Sequence, residues 1–213
     1  MKKIFTLLVL ALFVQVGFAQ EETVEKKDDI NTIFTKENLK FTGGYIAPEI
    51  KVGNVNEDMS LFVGGKMGFT FNNSFSIGIA GYGLTTNSNF DIDYAGNPNT
   101  PARIGMGYGG LSLEYTLFSN KLVHFTVPVV VGAASIYVYE DDGDFFYNDY
   151  EDIENSAAFV VEPGVNLELN VFKFMRLDIG ASYRLISGTD LYYLQDEDLS
   201  DLSFNATFKF GFF

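Results

Sequence analysis

The sequence predicts an all-β protein: one eight-stranded antiparallel up-and-down transmembrane β-barrel over residues 39–213, with short periplasmic turns and longer extracellular loops. Three observations predict it. From Leu39 onward the apolar residues recur with a period of two, the period of a strand. Short turns such as Asn72-Asn73-Ser74 alternate with much longer connections, which is the pattern of an up-and-down meander. The polar face of the alternating segments carries full charges in mid-strand, the reverse of what a water-soluble barrel shows.

The chain begins with an address. Lys2 and Lys3 precede an apolar stretch, Ile4 to Phe18, broken only by Thr6 and Gln15, and Gly17 and Ala19 stand at −3 and −1 of a cut before Gln20. Residues 1–19 therefore read as a secretory signal peptide, and the stretch is shorter than the roughly 20 residues of a membrane-spanning helix. Loss of the two lysines takes the formal net charge from −14 to −16. Residues 20–38, QEETVEKKDDINTIFTKEN, form a polar periplasmic N-terminal segment with little apolar periodicity.

Eight strands follow, near 39–53, 59–71, 75–87, 104–118 and 122–139, then across 159–171, 176–185 and 202–212. The seventh is the clearest: Leu177, Ile179, Ala181, Tyr183 and Leu185 oppose Arg176, Asp178, Gly180, Ser182 and Arg184. The fifth is apolar on both faces. Pro48, Pro128 and Pro163 fall inside strands; a closed barrel has no edge to host them, so each predicts a bulge or strand-end irregularity. Short turns lie at 72–74, 119–121 and 172–174, and longer connections at 54–58, 88–103, 140–156 and 187–200. An even strand count puts both mature termini on the periplasmic side.

The choice between a soluble and a membrane barrel turns on the polar face. It holds Glu49, Lys51, Lys66, Glu114, Glu162, Glu168, Arg176, Asp178, Arg184 and Lys209, five acids and five bases. Buried charges persist only when paired, so equal numbers predict a salt-bridge network inside a lumen. Small residues on the same face (Gly44, Gly64, Gly68, Gly78, Gly110, Gly180) suit crowding there. Phe69, Phe71, Phe75, Tyr115, Phe125, Phe210 and Phe212 lie toward the turn end, and Tyr137, Tyr139, Tyr183 and Phe204 toward the loop end, as two aromatic girdles. With no apolar helix after the signal, a closed barrel is the structure that satisfies its backbone in lipid.

Composition excludes several functions. There is no Cys and one His, so thiolate and multi-histidine metal sites are out. The acidic excess argues against nucleic acid as a partner. The segments LEYTLFSNKLVHFTVPVVVGAAS, VEPGVNLELNVFKFMRLDIGASYRLISG and FKFGFF resemble a set of uncharacterised outer-membrane barrel proteins of Bacteroidota, OmpA/OmpX-like in architecture. The resemblance implies a Gram-negative outer membrane and no reaction. It implies outer-membrane lipid and lipopolysaccharide as partners. The ending Phe208, Phe210, Phe212, Phe213 resembles the signal read by barrel-assembly machinery. A monomer is expected.

Candidate chemistry is sparse. His124, with Glu114 diagonal to it and Thr126 or Ser112 nearby, can be drawn as a triad for a lipid-modifying enzyme. The His-x-Ser-Asn pattern of the outer-membrane deacylases is absent, since the chain reads His124-Phe125-Thr126-Val127, and the sequence favours a lumen His satisfied by a carboxylate. A narrow channel is a further alternative, but eight strands enclose a lumen that side chains fill. The connection 140–154 holds eight acids and no base. Asp141, Asp142, Asp144, Asp149 and Asp152 offer oxygen ligands for a loosely held Ca²⁺ or Mg²⁺ without the EF-hand spacing. No catalytic residue and no tight cofactor is expected. The acidic extracellular loops are where an envelope-structural or surface-interaction role is sought.

Overall fold

The computed structural model describes residues 39–86, 88–140 and 152–213. Among them are nine antiparallel strands and no helix: β1 (Phe41–Val55), β2 (Asp58–Phe71), β3 (Phe75–Leu84), β4 (Ser88–Tyr94), β5 (Asn97–Leu117), β6 (Val123–Glu140), β7 (Asp152–Phe172), β8 (Met175–Ser187) and β9 (Asp201–Phe212). Neighbours in the sheet run β3-β2-β1-β9-β8-β7-β6-β5-β4, and a further pairing of β3 with β5 closes the ring. Eight strands make the barrel. The ninth, β4, continues the line of β3 and pairs with the first part of β5, from Ser88↔Ile104 to Tyr94↔Asn97.

The connection 88–103, expected as a loop, is therefore mostly a β-hairpin. Ala95 and Gly96 turn it with φ of 52° and 83°, the positive values a tight hairpin turn requires. The described ends of the stretch 140–156 are also strand, because β6 runs to Glu140 and β7 starts at Asp152. The first long connection, 54–58, shrinks to a two-residue turn at Asn56 and Glu57 (φ 51° and 67°). β5 and β7 have 21 residues each, about twice the 9–11 that cross a bilayer. The β4–β7 side thus rises as a wall on the side where the final connection, 188–200, also lies.

The three prolines produce no bulge. Pro48 stays in register with Gly65, Pro128 with Glu114, and Pro163 with Val129. On the opposite side of each, the ladder skips two pairs and resumes in the same register. A proline lacks only its N–H, so one silent side suffices and no extra residue is inserted. The shifts in register lie elsewhere, at Phe41/Gly43, Ile92/Tyr94, Val138/Tyr139 and Asn170/Phe172. Gly44, expected on the lumen face, shares its side with Ile46 on the outer face, because it stands an odd number of residues before Glu49 in unbroken strand, whereas Gly43 and Tyr45 turn inward.

Candidate functional site

The side chains of β1, β2, β3 and β5–β9 alternate between an apolar outer face and the lumen. All ten charged residues named from the polar face are buried, and nine of them form one continuous chain of contacts. Glu162 Oε2 accepts from Lys51 Nζ at 2.8 Å and from the Tyr108 hydroxyl at 2.9 Å. Lys51 lies 3.5 Å from Glu49, which takes Lys66 at 3.0 Å, and Lys66 reaches Glu114 at 3.9 Å. Lys209 is the hub: it donates to Glu114 at 2.7 Å, binds Glu168, and lies 3.3 Å from Asp178. Arg176 completes the set on Glu168 at 2.7 Å.

Arg184 departs from the expected network. Its Nε donates to the Leu199 carbonyl and its Nη2 to the Asn54 carbonyl, both at 2.8 Å, and its guanidinium stacks 4.5 Å from the Phe62 ring. His124 joins the network from β6 instead: its Nε2 meets Glu168 Oε1 at 2.5 Å. Its Nδ1 faces the Lys121 carbonyl at 3.3 Å. Both ring nitrogens therefore lie beside polar groups.

The drawn Glu114–His124 pair is not formed. Thr116 lies opposite Thr126 rather than His124, because the β5–β6 connection has five residues, not three. The carboxylate at His124 comes from β7, across the other seam. Ser112 and Thr126 are buried in the lumen, and no hydrogen bond joins either hydroxyl to His124 among the described residues. His124 itself is 1% exposed and points away from the outer face where lipid would lie.

Toward the loop end the interior changes character. Phe62, Ile104, Ile136, Val138, Val160 and Ile186 pack into an apolar core, joined from above by Leu194 and Leu199. These two leucines belong to 188–200, which is tied down on several sides. The Asn56 N–H donates to the Asp198 carbonyl at 2.7 Å, and the Tyr193 hydroxyl to the Asp93 carbonyl of β4 at 2.7 Å. Glu154 and Ser156 of β7 accept from the N–H groups of Tyr192 and Asp190, both at 2.9 Å. Asp196 receives the Thr189 hydroxyl at 2.6 Å and the N–H groups of Thr189 and Gly188. Those bonds, the Thr189 hydroxyl first, hold its carboxyl below the usual carboxylate range. The lumen thus has two storeys, a paired charge network below and an apolar plug above, capped by a fastened loop. A cavity beside Tyr82, Asn166 and Asn205 measures only about 10 Å³, the space of one water.

A closed ring of this build has known counterparts. Neisserial surface protein A (NspA) is similar at 13% identity, with a TM-score of 0.51 over 79% of this chain and 95% of that one. Ail of Yersinia pestis, solved with the heparin analogue sucrose octasulfate, is similar at 9% identity and a TM-score of 0.51, covering 81% and 99%. OprG of Pseudomonas aeruginosa gives 12%, 0.51, 81% and 97%. No protein-family profile and no curated protein matches the chain by sequence. The chain has the fold of the small outer-membrane β-barrels.

In such a barrel the outer face is the membrane face, and the exposed apolar residues form its band. Ile46, Ile50, Met67, Ile79, Val165 and Ile179 are all exposed. Phe69, Tyr115, Phe125 and Phe212 stand outward near the turn end, and Tyr137, Tyr183 and Phe204 near the loop end. Phe208 and Phe212 are exposed on the outer face, Phe210 is half-buried beside them, and the Phe213 ring lies 3.8 Å beneath the Arg176 guanidinium. The signal peptide 1–19, the segment 20–38 and Asp141, Asp142, Asp144 and Asp149 lie outside the described residues, as does the side chain of Asp152. Among the described residues no group of three or more acids and His has metal-binding geometry.

Proposed function

We propose that the protein is a non-enzymatic outer-membrane barrel of a Gram-negative bacterium, an envelope-structural or surface-interaction protein that acts through its loop end. The observation that carries the reading is the closed lumen. Among the described residues a paired charge network, an apolar plug and the cap at 188–200 fill the lumen and no reactive group faces lipid, so the projecting loops and the β4–β7 wall are the surfaces offered to a partner outside the cell. The signal peptide, the resemblance to Bacteroidota barrels and the fold support this location, with both mature termini periplasmic and the ending Phe208–Phe213 presented to barrel-assembly machinery. The acidic loops suit lipopolysaccharide phosphates bridged by Ca²⁺ or Mg²⁺ at 140–154. They do not suit a polyanion such as the one bound to Ail, because like charges repel. The network Glu49 to Lys209 serves the barrel's stability rather than catalysis.

Membrane fractionation with heat-modifiable gel mobility tests the location, and planar bilayers test the closed lumen. The purified protein is expected in the outer-membrane fraction, as a monomer, without steady conductance. Recovery as a detergent-free soluble monomer sinks the location, and an ion-selective single-channel current sinks the closed lumen. An altered lipid A mass spectrum on His124→Ala would replace the reading with an enzymatic one.

A further inference from the structure

The turn end carries a pattern that the charge network and the loops do not explain. Three lysines are exposed there: Lys40 ahead of β1, Lys121 between β5 and β6, and Lys173 between β7 and β8. Each stands among exposed apolar side chains: Lys40 beside Phe41, Lys121 between Phe118 and Leu122, Lys173 between Phe172 and Phe174. Among the described residues none of the three ammonium groups forms an ion pair, although every lysine of the lumen does. The turn end holds no described acidic side chain, only the C-terminal carboxylate of Phe213. The loop end, by contrast, is almost wholly acidic.

The turns that present these lysines are built firmly. The Lys121 carbonyl accepts from the Asn170 side-chain amide at 2.9 Å and faces His124 Nδ1. The Phe172 and Phe174 rings stack at 5.6 Å with 7° between their planes, on either side of Lys173. Around the ring the three lysines fall at β1, at the β5–β6 turn and at the β7–β8 turn, on different sides of the rim. One small anion cannot touch all three. A plane of anions can.

We infer that this rim is a docking surface for anionic phospholipid headgroups: the flanking Phe and Leu side chains enter the leaflet on the turn side while Lys40, Lys121 and Lys173 pair with headgroup phosphates. The inference rests on the membrane reading of the barrel. Long cationic side chains bury their stems in the apolar layer and leave the ammonium at headgroup level. Each one near an anionic surface favours binding by about fivefold, so three together act as a selector of leaflet composition rather than as a single tight site.

The test compares vesicles. The mature protein and a Lys40→Gln/Lys121→Gln/Lys173→Gln variant are folded into phosphatidylcholine vesicles and into 3:1 phosphatidylcholine–phosphatidylglycerol vesicles. Retained lipid is counted by native mass spectrometry after mild detergent extraction. The wild type is expected to retain phosphatidylglycerol over phosphatidylcholine by at least about tenfold, to lose most of that preference in 0.5 M NaCl and to lose it in the triple Gln variant, while the triple Arg variant keeps it. Equal folding of both proteins in pure phosphatidylcholine controls for stability. Failure of the wild type to insert into either vesicle would overturn the barrel reading and this inference with it. Insertion without a lipid preference, or an undiminished preference in the Gln variant, would overturn the inference alone. So would loss of the preference on adding millimolar inorganic phosphate.

Discussion

Lys209→Met is the most informative single change. Its ammonium is the one cation shared by three buried carboxylates, Glu114, Glu168 and Asp178. After substitution Glu168 keeps Arg176 at 2.7 Å and His124 at 2.5 Å, and Glu114 keeps Lys66 at 3.9 Å. Asp178 keeps nothing: it is fully buried, and neither carboxylate oxygen has a hydrogen-bond partner among the described residues. Removing one partner of a buried salt-bridge network costs about 3–5 kcal/mol. Lys209→Met should therefore lose that much unfolding free energy, and Lys209→Met/Asp178→Asn, which also replaces the acid left without a partner, should recover more than half of it. With no Trp in the chain, urea unfolding in lipid vesicles is best followed by heat-modifiable gel mobility. A loss under about 1 kcal/mol, or a double variant no more stable than the single one, would refute the hub assignment.

Three further outcomes are expected. Ile79→Arg places a charge on the membrane face at a residue 60% exposed and should cost about 2–4 kcal/mol if it lies at mid-membrane; the same equilibrium unfolding assay in detergent micelles and in vesicles reads it, and Ile79→Val should be near neutral. Leu199→Ala removes a fully buried part of the cap and should destabilise by about 2–5 kcal/mol, with faster amide exchange confined to 188–200 and the loop ends it touches. Asp196 has a lowered folded-state pKa, so its contribution to loop order is complete at neutral pH and is lost as pH falls through that lowered value. Asp196→Asn should abolish this acid-side dependence of the Thr189 amide chemical shift.

Strand positions were legible because an inside-out barrel writes its alternation in charges. Arg176, Asp178 and Arg184 on one parity, against Leu177, Ile179 and Leu185 on the other, leave one arrangement that buries neither set unpaired. The partners within the lumen were not legible, because they depend on register across seams that local sequence does not set. His124 illustrates this. Its parity places it inward, but the five-residue connection before it moves Thr116 away, and the β6–β7 register, which pairs His124 with Glu168, supplies the carboxylate. The apolar plug leaves a trace in the sequence: both faces of 122–139 are apolar, since Ile136 and Val138 face a dry interior rather than a charged one. Leu194 and Leu199 gave no signal, because a loop enters the mouth only through tertiary contacts.

The prolines and the charges belong to one design. Each proline silences two ladder pairs on one side, which leaves three weakened seams: β1/β9 at Pro48, β6/β7 at Pro128 and β7/β8 at Pro163. The lumen spans the same seams with side chains. The Thr207 hydroxyl of β9 donates to Glu49 of β1 at 2.9 Å. His124 of β6 meets Glu168 of β7. The Ser182 hydroxyl of β8 donates to Glu162 of β7 at 2.6 Å, and Arg176 of β8 reaches Glu168. Backbone bonds lost at a seam are not replaced by water on the membrane face, where none is available, so fastening has to come from inside. Carboxylates do this better than neutral groups because each accepts several bonds at once, and a ring of them needs the cations that make the lumen balanced. On this account the barrel's interior is charged because its wall is interrupted, and the seams, not the turns, are where removing a lumen charge should first admit exchange of backbone amides.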